Sequence, residues 1–375
     1  MSHFKITPLL LFVLFSLMLK KSSAQNTEIV STPWFVSLNY MVGENKPHSP
    51  ILENLSYPYR GVEAKLGWQS VGKQPWQVAF RYPSYGLGLN WSTFQTDILG
   101  SPFALYFFTN FPQLTTPVWQ LNLEVDLGFS YGINPYHAED NPHNFATGSS
   151  GNAFFGLYLE NTFNAGKHLD LFASAGIIHY SNGAVGWPNY GLNIIPGMKL
   201  GLRYQPNYVE SLEHNKVFDY ERNWLLNVYV AGGRKMLLNP NNVYHEVLIS
   251  PALYYRAGYK RRVGIAYELS YNQAITGVYT RRYESGTDLI MHAALLSHEF
   301  LINKFTILTQ FGVYIHNLPF DKVLYSRFDI DCIISRFGIG YYIAPWARTT
   351  FSLKSHYIKA EYLELGMIFD INLSK

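Results

Sequence analysis

Hydrophobic and polar residues alternate along many short segments of this chain. Residues 121–131, 198–204, 263–270 and 363–370 place apolar side chains at every second position, and the residues between them are polar or small except for Ile368. Successive side chains of a β-strand point to opposite faces, so this period of two predicts strands with one apolar and one polar face. In the first segment, the polar row consists of Asn122, Glu124, Asp126 and Ser130.

About sixteen such strands can be placed along the chain, with short turns and long loops in alternation between them. Their predicted starts lie near Trp34, Gly61, Trp76, Phe103, Val118, Ala153, His168, Asn193, Asn223, Glu246, Val263, Leu289, Phe305, Ile330, Ala347 and Tyr362. One connection, residues 205–221, is long and polar where a short turn is expected. It divides the mature chain into residues 25–204 and 222–375, each with eight strands. Sixteen strands could close one large ring or two small ones, and alternation is the same in both.

Residues 1–24 are typical of a secretory signal peptide. Lys5 precedes a short apolar core, which ends in small residues up to Ala24. The apolar run is too short for a retained membrane-spanning helix. The protein is therefore expected to be exported through a cleaved leader. Its single cysteine, Cys332, cannot form an internal disulfide.

Composition favours a membrane barrel over a soluble β-sandwich, whose strands would alternate too. Charged residues make up 15% of the chain and aromatic residues 17%, whereas a soluble exported protein usually carries more charge. Tyrosine, tryptophan and phenylalanine are enriched where strands cross membrane interfaces. Strands in lipid must close into a ring so that every backbone group is paired. The predicted fold class is all-β, a transmembrane antiparallel β-barrel of the bacterial outer membrane.

The charge balance argues against a polyanionic partner. Lys and Arg number 29 and Asp and Glu 26, and removal of the leader's three lysines leaves 26 of each sign. No nucleic-acid partner is therefore expected. His137 and His143 flank two carboxylates in a long predicted loop, where a metal site is conceivable, but a polar extracellular loop is the simpler interpretation.

Candidate chemistry lies at the end of the seventh predicted strand. His179 and Ser181 continue the apolar row of that strand, which consists of Leu169, Leu171, Ala173, Ala175 and Ile177. A hydroxyl beside an imidazole is the pairing of a nucleophile and its general base. A lone His-x-Ser also fits a solvated surface turn, so the spacing alone does not decide between them.

A longer motif surrounds this pair. It reads His179-Tyr180-Ser181-Asn182-Gly183 and, four residues later, Pro188-Asn189-Tyr190-Gly191-Leu192-Asn193. The motif resembles the signature of the PagL-type lipid A 3-O-deacylases, which are outer-membrane esterases, and especially the longer acyloxyacyl hydrolase branch of Bacteroidetes-type bacteria. The similarity is clearest over residues 121–204 and implies an eight-stranded PagL-like first half. It also implies hydrolysis of an ester-linked acyl chain of lipid A, with no cofactor and no metal.

The resemblance assigns roles to individual residues. Ser181 would attack the acyl carbonyl and His179 would accept its proton. Asn193 would be the third catalytic residue, at a position where some PagL-type enzymes carry a glutamate. The nearest oxyanion donors are the side chain of Asn182 and the backbone N–H groups of Gly183 and Ala184, the last often a glycine in the family. Three further residues are expected to shape the loop: Pro188, Asn189 and Gly191.

Topology then predicts where the site lies. With the amino terminus in the periplasm, odd-numbered strands run outward, so His179 and Ser181 would face the outer leaflet, where lipopolysaccharide resides. The expected partners are lipid A or lipopolysaccharide, outer-membrane lipids, and the machineries for periplasmic export and barrel assembly. The alternative is a non-enzymatic outer-membrane barrel, a channel or structural protein with a decayed site.

Overall fold

The computed structural model describes residues 32–207, 220–236, 241–274, 289–316, 332–356 and 359–373. The predicted signal peptide lies outside these ranges, as does most of the predicted connection 205–221. Within the described ranges, no helix combines the length and the apolar character needed to cross a membrane.

The described chain forms sixteen β-strands in two closed antiparallel barrels of eight strands each. The first barrel consists of β1 (Trp34–Glu44), β2 (Pro58–Gln69), β3 (Ser84–Thr93), β4 (Gly100–Thr115), β5 (Trp119–Ile133), β6 (Gly151–Asn164), β7 (Leu169–Ser181) and β8 (Leu192–Tyr204). The second consists of β9 (Trp224–Met236), β10 (Val243–Arg256), β11 (Arg261–Asn272), β12 (Ile290–Ile302), β13 (Phe305–His316), β14 (Ile333–Ala344), β15 (Ala347–His356) and β16 (Lys359–Asn372). The predicted fold class and number of strands are confirmed, and the chain closes two small rings.

The predicted start of the third strand near Trp76 is wrong. Trp76 lies in a short α-helix, Pro75–Ala79, and β3 begins at Ser84. Pro75 favours the first helical turn because its φ is already helical. The first N–H groups of a helix have no intrahelical partner, so the N–H that proline lacks is not needed there. The side chain of Gln77 also accepts a hydrogen bond from the backbone N–H of Gln74 at 3.4 Å. A 3-10 helix, Pro50–Leu55, lies between β1 and β2.

Paired charges fill the interior of both barrels. In the first, Lys199 Nζ lies 2.9 Å from Glu63 Oε2, 2.9 Å from Glu124 Oε1 and 3.1 Å from Asp126 Oδ2. In the second, buried cations and carboxylates pair in the same way: Lys354 with Glu246 and Glu268, and Arg336 with Glu268 and Glu364. Buried charges require such partners, and an eight-stranded ring is just wide enough for side chains to fill it.

The outer surfaces carry the apolar row of the alternation. Large hydrophobic side chains remain exposed on both barrels, for example Leu38, Phe129, Leu200, Leu296 and Leu365. An apolar exterior around a polar interior is the arrangement of a barrel whose outside contacts lipid.

One irregularity in the strand pairing positions the candidate site. Gly176 of β7 pairs with Gly197, but Ile178 pairs with Ile194, so two residues of β8 oppose one residue of β7. Such a β-bulge shifts the alternation of the longer strand by one residue. Beyond it, Ile194 faces the barrel interior with 0% exposure. Asn193 therefore faces outward.

Candidate active site

His179 and Asn193 are direct neighbours across β7 and β8. Asn193 Oδ1 lies 2.7 Å from His179 Nδ1 and accepts a hydrogen bond from it. The backbone carbonyl of Leu192 is a further hydrogen-bond partner of the same ring. A proton held on Nδ1 leaves the lone pair of a neutral imidazole on Nε2. The ring is half-buried, and its Nε2 is the atom able to accept a proton.

The loop between β1 and β2 holds Asn193 from the other side. The backbone N–H of Asn193 donates to Asn45 Oδ1 at 2.9 Å, and its carbonyl accepts from the N–H of Lys46 at 2.7 Å. Its side-chain Nδ2 lies 2.9 Å from His48 Nδ1. Asn45 is itself fixed because its Nδ2 donates to the carbonyl of Leu55 at 2.7 Å. Asn193 is thus held by both its backbone and its side chain.

Ser181 is the last residue of β7 and only 7% exposed. Its Oγ accepts a hydrogen bond from the N–H of Gly183 at 3.1 Å. Ser181 and His179 lie in the same outward row, but no hydrogen bond joins these two described side chains. Side chains two residues apart on a strand are about 7 Å apart at Cβ.

The side chain of Asn182 organises the loop after β7. Its Nδ2 donates to the carbonyls of Gly186 and Pro188, each at 3.1 Å, and to Thr147 Oγ1 at 3.2 Å. Its Oδ1 accepts from the N–H of Ala184 at 3.1 Å. Two of the three predicted oxyanion donors are therefore occupied within the loop. The third, the N–H of Gly183, points at Ser181 Oγ.

The backbone conformation of Ala184 bears on this residue's difference from the glycine of the family pattern. Ala184 has a φ of 65°, in the left-handed region that glycine adopts without strain. The glycine that the family resemblance leads us to expect at this position would suit the same turn. The N–H that Ala184 contributes to the loop does not depend on its side chain.

The predicted loop-shaping residues lie against the imidazole and the β5–β6 loop. The carbonyl of Pro188 accepts from the N–H of Gly148 at 2.7 Å. Gly191 has a φ of 78°, and a Cβ there would lie 2.9 Å from His179 Cε1. Glycine at this position therefore leaves the space that the ring occupies. Asn189 is half-buried in the same loop.

Asn45 and His48 are site residues that the sequence reasoning missed. They precede Asn193 by about 150 residues, and no spacing rule connects them. The available signal was topological, since closing eight strands into a ring places the first strand beside the eighth. Partial burial lowers the pKa of the His48 imidazole, and a hydrogen bond to the backbone of Tyr190 acts in the opposite direction.

The structure describes both loop histidines, His137 and His143. His137 Nδ1 lies 3.2 Å from Asp140 Oδ2, and both side chains are exposed. Among the residues that the structure describes, no group of three or more His, Cys, Asp or Glu side chains could hold a metal ion.

Two solved structures to which this chain is similar are distant from it in sequence and in geometry. A triple mutant of Rhodopseudomonas blastica porin is 9% identical, with 91% of this chain and 99% of the porin covered and a TM-score of 0.18. A mutant of the TodX monoaromatic hydrocarbon channel is 10% identical, with 92% and 90% covered and a TM-score of 0.19. At such scores, the assignment of the fold rests on the chain's own strand pairing. Comparison with curated proteins gives no match.

Two family models match parts of both barrels. Residues 62–205 match the lipid A 3-O-deacylase (PagL) family. This range includes β7, β8 and the loop between them. Residues 224–373 match the C-terminal domain of the acyloxyacyl hydrolases. The two matches together span most of the chain, so this protein belongs to the family of PagL-type lipid A deacylases and acyloxyacyl hydrolases.

Proposed function

We propose that this protein is an outer-membrane esterase that removes an ester-linked acyl chain from lipid A, with Ser181 as nucleophile and His179 as base. The family supports lipid A deacylation in general. The observation that carries the residue assignment is the hydrogen bond between His179 Nδ1 and Asn193 Oδ1. With the proton on Nδ1, the lone pair of this outward-facing neutral imidazole lies on Nε2, two residues from a serine.

In the first step, Ser181 Oγ attacks the acyl carbonyl carbon while His179 Nε2 takes the hydroxyl proton. The ester C–O bond then breaks, and the imidazolium returns the proton to the leaving sugar hydroxyl. Water hydrolyses the acyl-enzyme by the same route. Ser181 Oγ accepts a hydrogen bond from the N–H of Gly183, so it must turn toward His179 Nε2 for this proton transfer.

The oxyanion of this reaction needs a donor near Ser181. The N–H of Gly183 is the nearest donor, at 3.1 Å from Oγ. As the bond between Ser181 Oγ and the acyl carbon forms, this N–H would release the serine oxygen and donate to the carbonyl oxygen of the substrate. The side chain of Asn182 and the N–H of Ala184 would have to give up their partners in the loop to contribute, so we assign them to holding the loop in place.

Asn193 supplies an amide where some relatives have a carboxylate. An amide oxygen can hold the imidazole in the correct tautomer, as in Cys-His-Asn proteases. It stabilises the imidazolium less than a charged oxygen would, because charge-assisted hydrogen bonds are roughly twice as strong as neutral ones. We therefore expect a working but slower site.

The location of the site suits a lipid substrate. With a periplasmic amino terminus, β7 ends at the outer rim, and its outward row faces the outer leaflet. An acyl ester near the sugar of lipid A could then reach Ser181 without leaving the membrane. A channel function is less favoured, because the interiors of both eight-stranded rings are filled by buried ion pairs.

Mass spectrometry of lipid A tests this proposal. Cells that express the protein should lose one acyl chain from a fraction of their lipid A, and cells that express Ser181→Ala should not. Ser174→Ala, a substitution of a buried serine on the inward row of the same strand, is the matched control and should behave as the parent. Identical lipid A in the presence and absence of the protein would reject the esterase assignment.

A further inference from the structure

An amide in the place of a carboxylate raises a question of orientation. A carboxylate presents the same oxygen on both sides, whereas the side chain of Asn193 carries an oxygen on one side and an NH₂ group on the other. If the NH₂ group faced His179, the Nδ1 atom of that ring would have to accept. The ring proton would then sit on Nε2, and the imidazole could not take a proton from Ser181. Something must select the productive orientation.

The structure places a hydrogen-bond acceptor where this selection is needed. His48 Nδ1 lies 2.9 Å from Asn193 Nδ2, on the side of the amide opposite His179. The backbone of Tyr190 is a further partner of the His48 imidazole. The NH₂ group of Asn193 can only donate, so Nδ1 of a neutral His48 faces it as an acceptor and the single N–H of that ring lies on Nε2. An acceptor attracts the NH₂ group of Asn193 and thereby turns its oxygen toward His179.

The chain delivers His48 to this position through two backbone contacts. Lys46 donates its N–H to the carbonyl of Asn193 at 2.7 Å, and Asn45 forms an isolated bridge with Ile194. Both residues lie within three positions of His48. The β1–β2 loop is thus registered against β8 at the point where Asn193 needs a partner.

We propose that His48 is a positioning residue that orients the Asn193 amide and so sets the tautomer of His179. This inference rests on the proposed function of His179 as base. It makes the site a relay of four side chains, Ser181, His179, Asn193 and His48, in which the fourth compensates for the missing carboxylate. His48 itself does not touch the substrate.

The first test is His48→Phe, which retains a ring and removes the acceptor. We expect kcat for lipid A deacylation to fall about threefold to tenfold with little change in KM, since one net hydrogen bond is worth about that factor. His48→Gln keeps an acceptor and should retain more activity than His48→Phe. His143→Phe, at an exposed histidine of the β5–β6 loop, is the matched control. Heat-modifiable migration of each variant shows that its barrel has assembled.

A second background separates orientation from simple loop support. In Asn193→Asp, both carboxylate oxygens are equivalent and need no orienting partner. Adding His48→Phe should therefore cause no further loss there. If His48→Phe lowers activity by the same factor in both backgrounds, or has no effect in the native one, the orienting role is refuted.

A spectroscopic measurement makes the test independent of turnover. With ¹⁵N-labelled histidine in detergent micelles, His179 is assigned by comparison with His179→Asn, and its tautomer is read from the ring nitrogen shifts. The native protein should carry the proton on Nδ1, whereas His48→Phe should show a mixture of tautomers. An unchanged tautomer in His48→Phe would overturn the proposal even if the protein deacylates lipid A. Failure of the proposed function would give a different result: the native protein would show no deacylation that depends on Ser181.

Discussion

The backbone N–H of Met236, at the end of β9, donates a hydrogen bond to the carbonyl of Ala184 at 2.9 Å. Met236 belongs to the second barrel and Ala184 to the loop that follows the candidate nucleophile. The neighbouring Gly183 lies against Leu363 of β16. The second barrel therefore braces the loop that shapes the candidate active site of the first.

The contact with Leu363 predicts that Gly183→Ala impairs catalysis. A Cβ on Gly183 would clash with Leu363 Cδ1. The φ of 60° at Gly183 also strains a non-glycine residue by about 1–2 kcal/mol. The loop must shift to relieve both effects, and misplacing a catalytic group by about 1 Å can lower the rate roughly a hundredfold. We expect kcat/KM for deacylation to fall about tenfold to a hundredfold.

Two further variants sharpen this prediction. Gly183→Ala combined with Leu363→Ala should recover part of the activity, because the smaller side chain makes room for the new methyl group. Gly151→Ala is the control, since a Cβ at Gly151 meets nothing within 4 Å. Full activity of Gly183→Ala alone would show that the second barrel does not constrain the loop.

The proposed nucleophile and base should act as one unit. His179→Asn should abolish deacylation, as Ser181→Ala does, and the double variant should be little worse than either single one. The measurement is the rate of acyl release from purified lipid A by protein whose assembly is verified. Appreciable activity in Ser181→Ala would exclude Ser181 as the nucleophile.

Asn193, the proposed third catalytic residue, can be tested by a substitution that removes its amide and by one that replaces the amide with a carboxylate. Asn193→Ala should lower kcat with little change in KM, because it removes the partner of His179 Nδ1. Asn193→Glu restores the carboxylate of some relatives, and each 1.4 kcal/mol gained in the transition state alone is worth about tenfold in rate. Since glutamate is one methylene longer and its charge faces lipid, where desolvation is costly, we expect a gain only where loop donors or water reach it. Unchanged turnover in Asn193→Ala would place the third group elsewhere.

The protein should fractionate with the outer membrane. Closed barrels with apolar exteriors usually resist detergent at room temperature, so we expect faster migration of unboiled samples in detergent gels than of boiled ones. Recovery as a soluble periplasmic protein would contradict the membrane location. This prediction depends on the alternation of the strands and on the leader, and it is independent of the motif at Ser181.

Strand positions and the pair at the end of β7 follow from local sequence. A period of two depends only on near neighbours along the chain, so most strands begin within a few residues of their predicted starts. The predicted strand start near Trp76 is wrong because Pro75 and Gln77 favour a helical turn that hydrophobic alternation does not reveal. His179 and Ser181 share an outward row for the same local reason, because they lie two residues apart on one strand.

Ring size and the partners of His179 depend on contacts that alternation does not encode. Simple parity from Lys199 would send Asn193 into the barrel interior, and the bulge in β8 brings it outward beside His179. His48 reaches Asn193 only because β1 pairs with β8 instead of leaving that edge to β9. That choice between one ring and two is made by pairing and by packing of the buried charges among distant strands. A strand's own pattern looks the same in either ring, so only the folded chain distinguishes them.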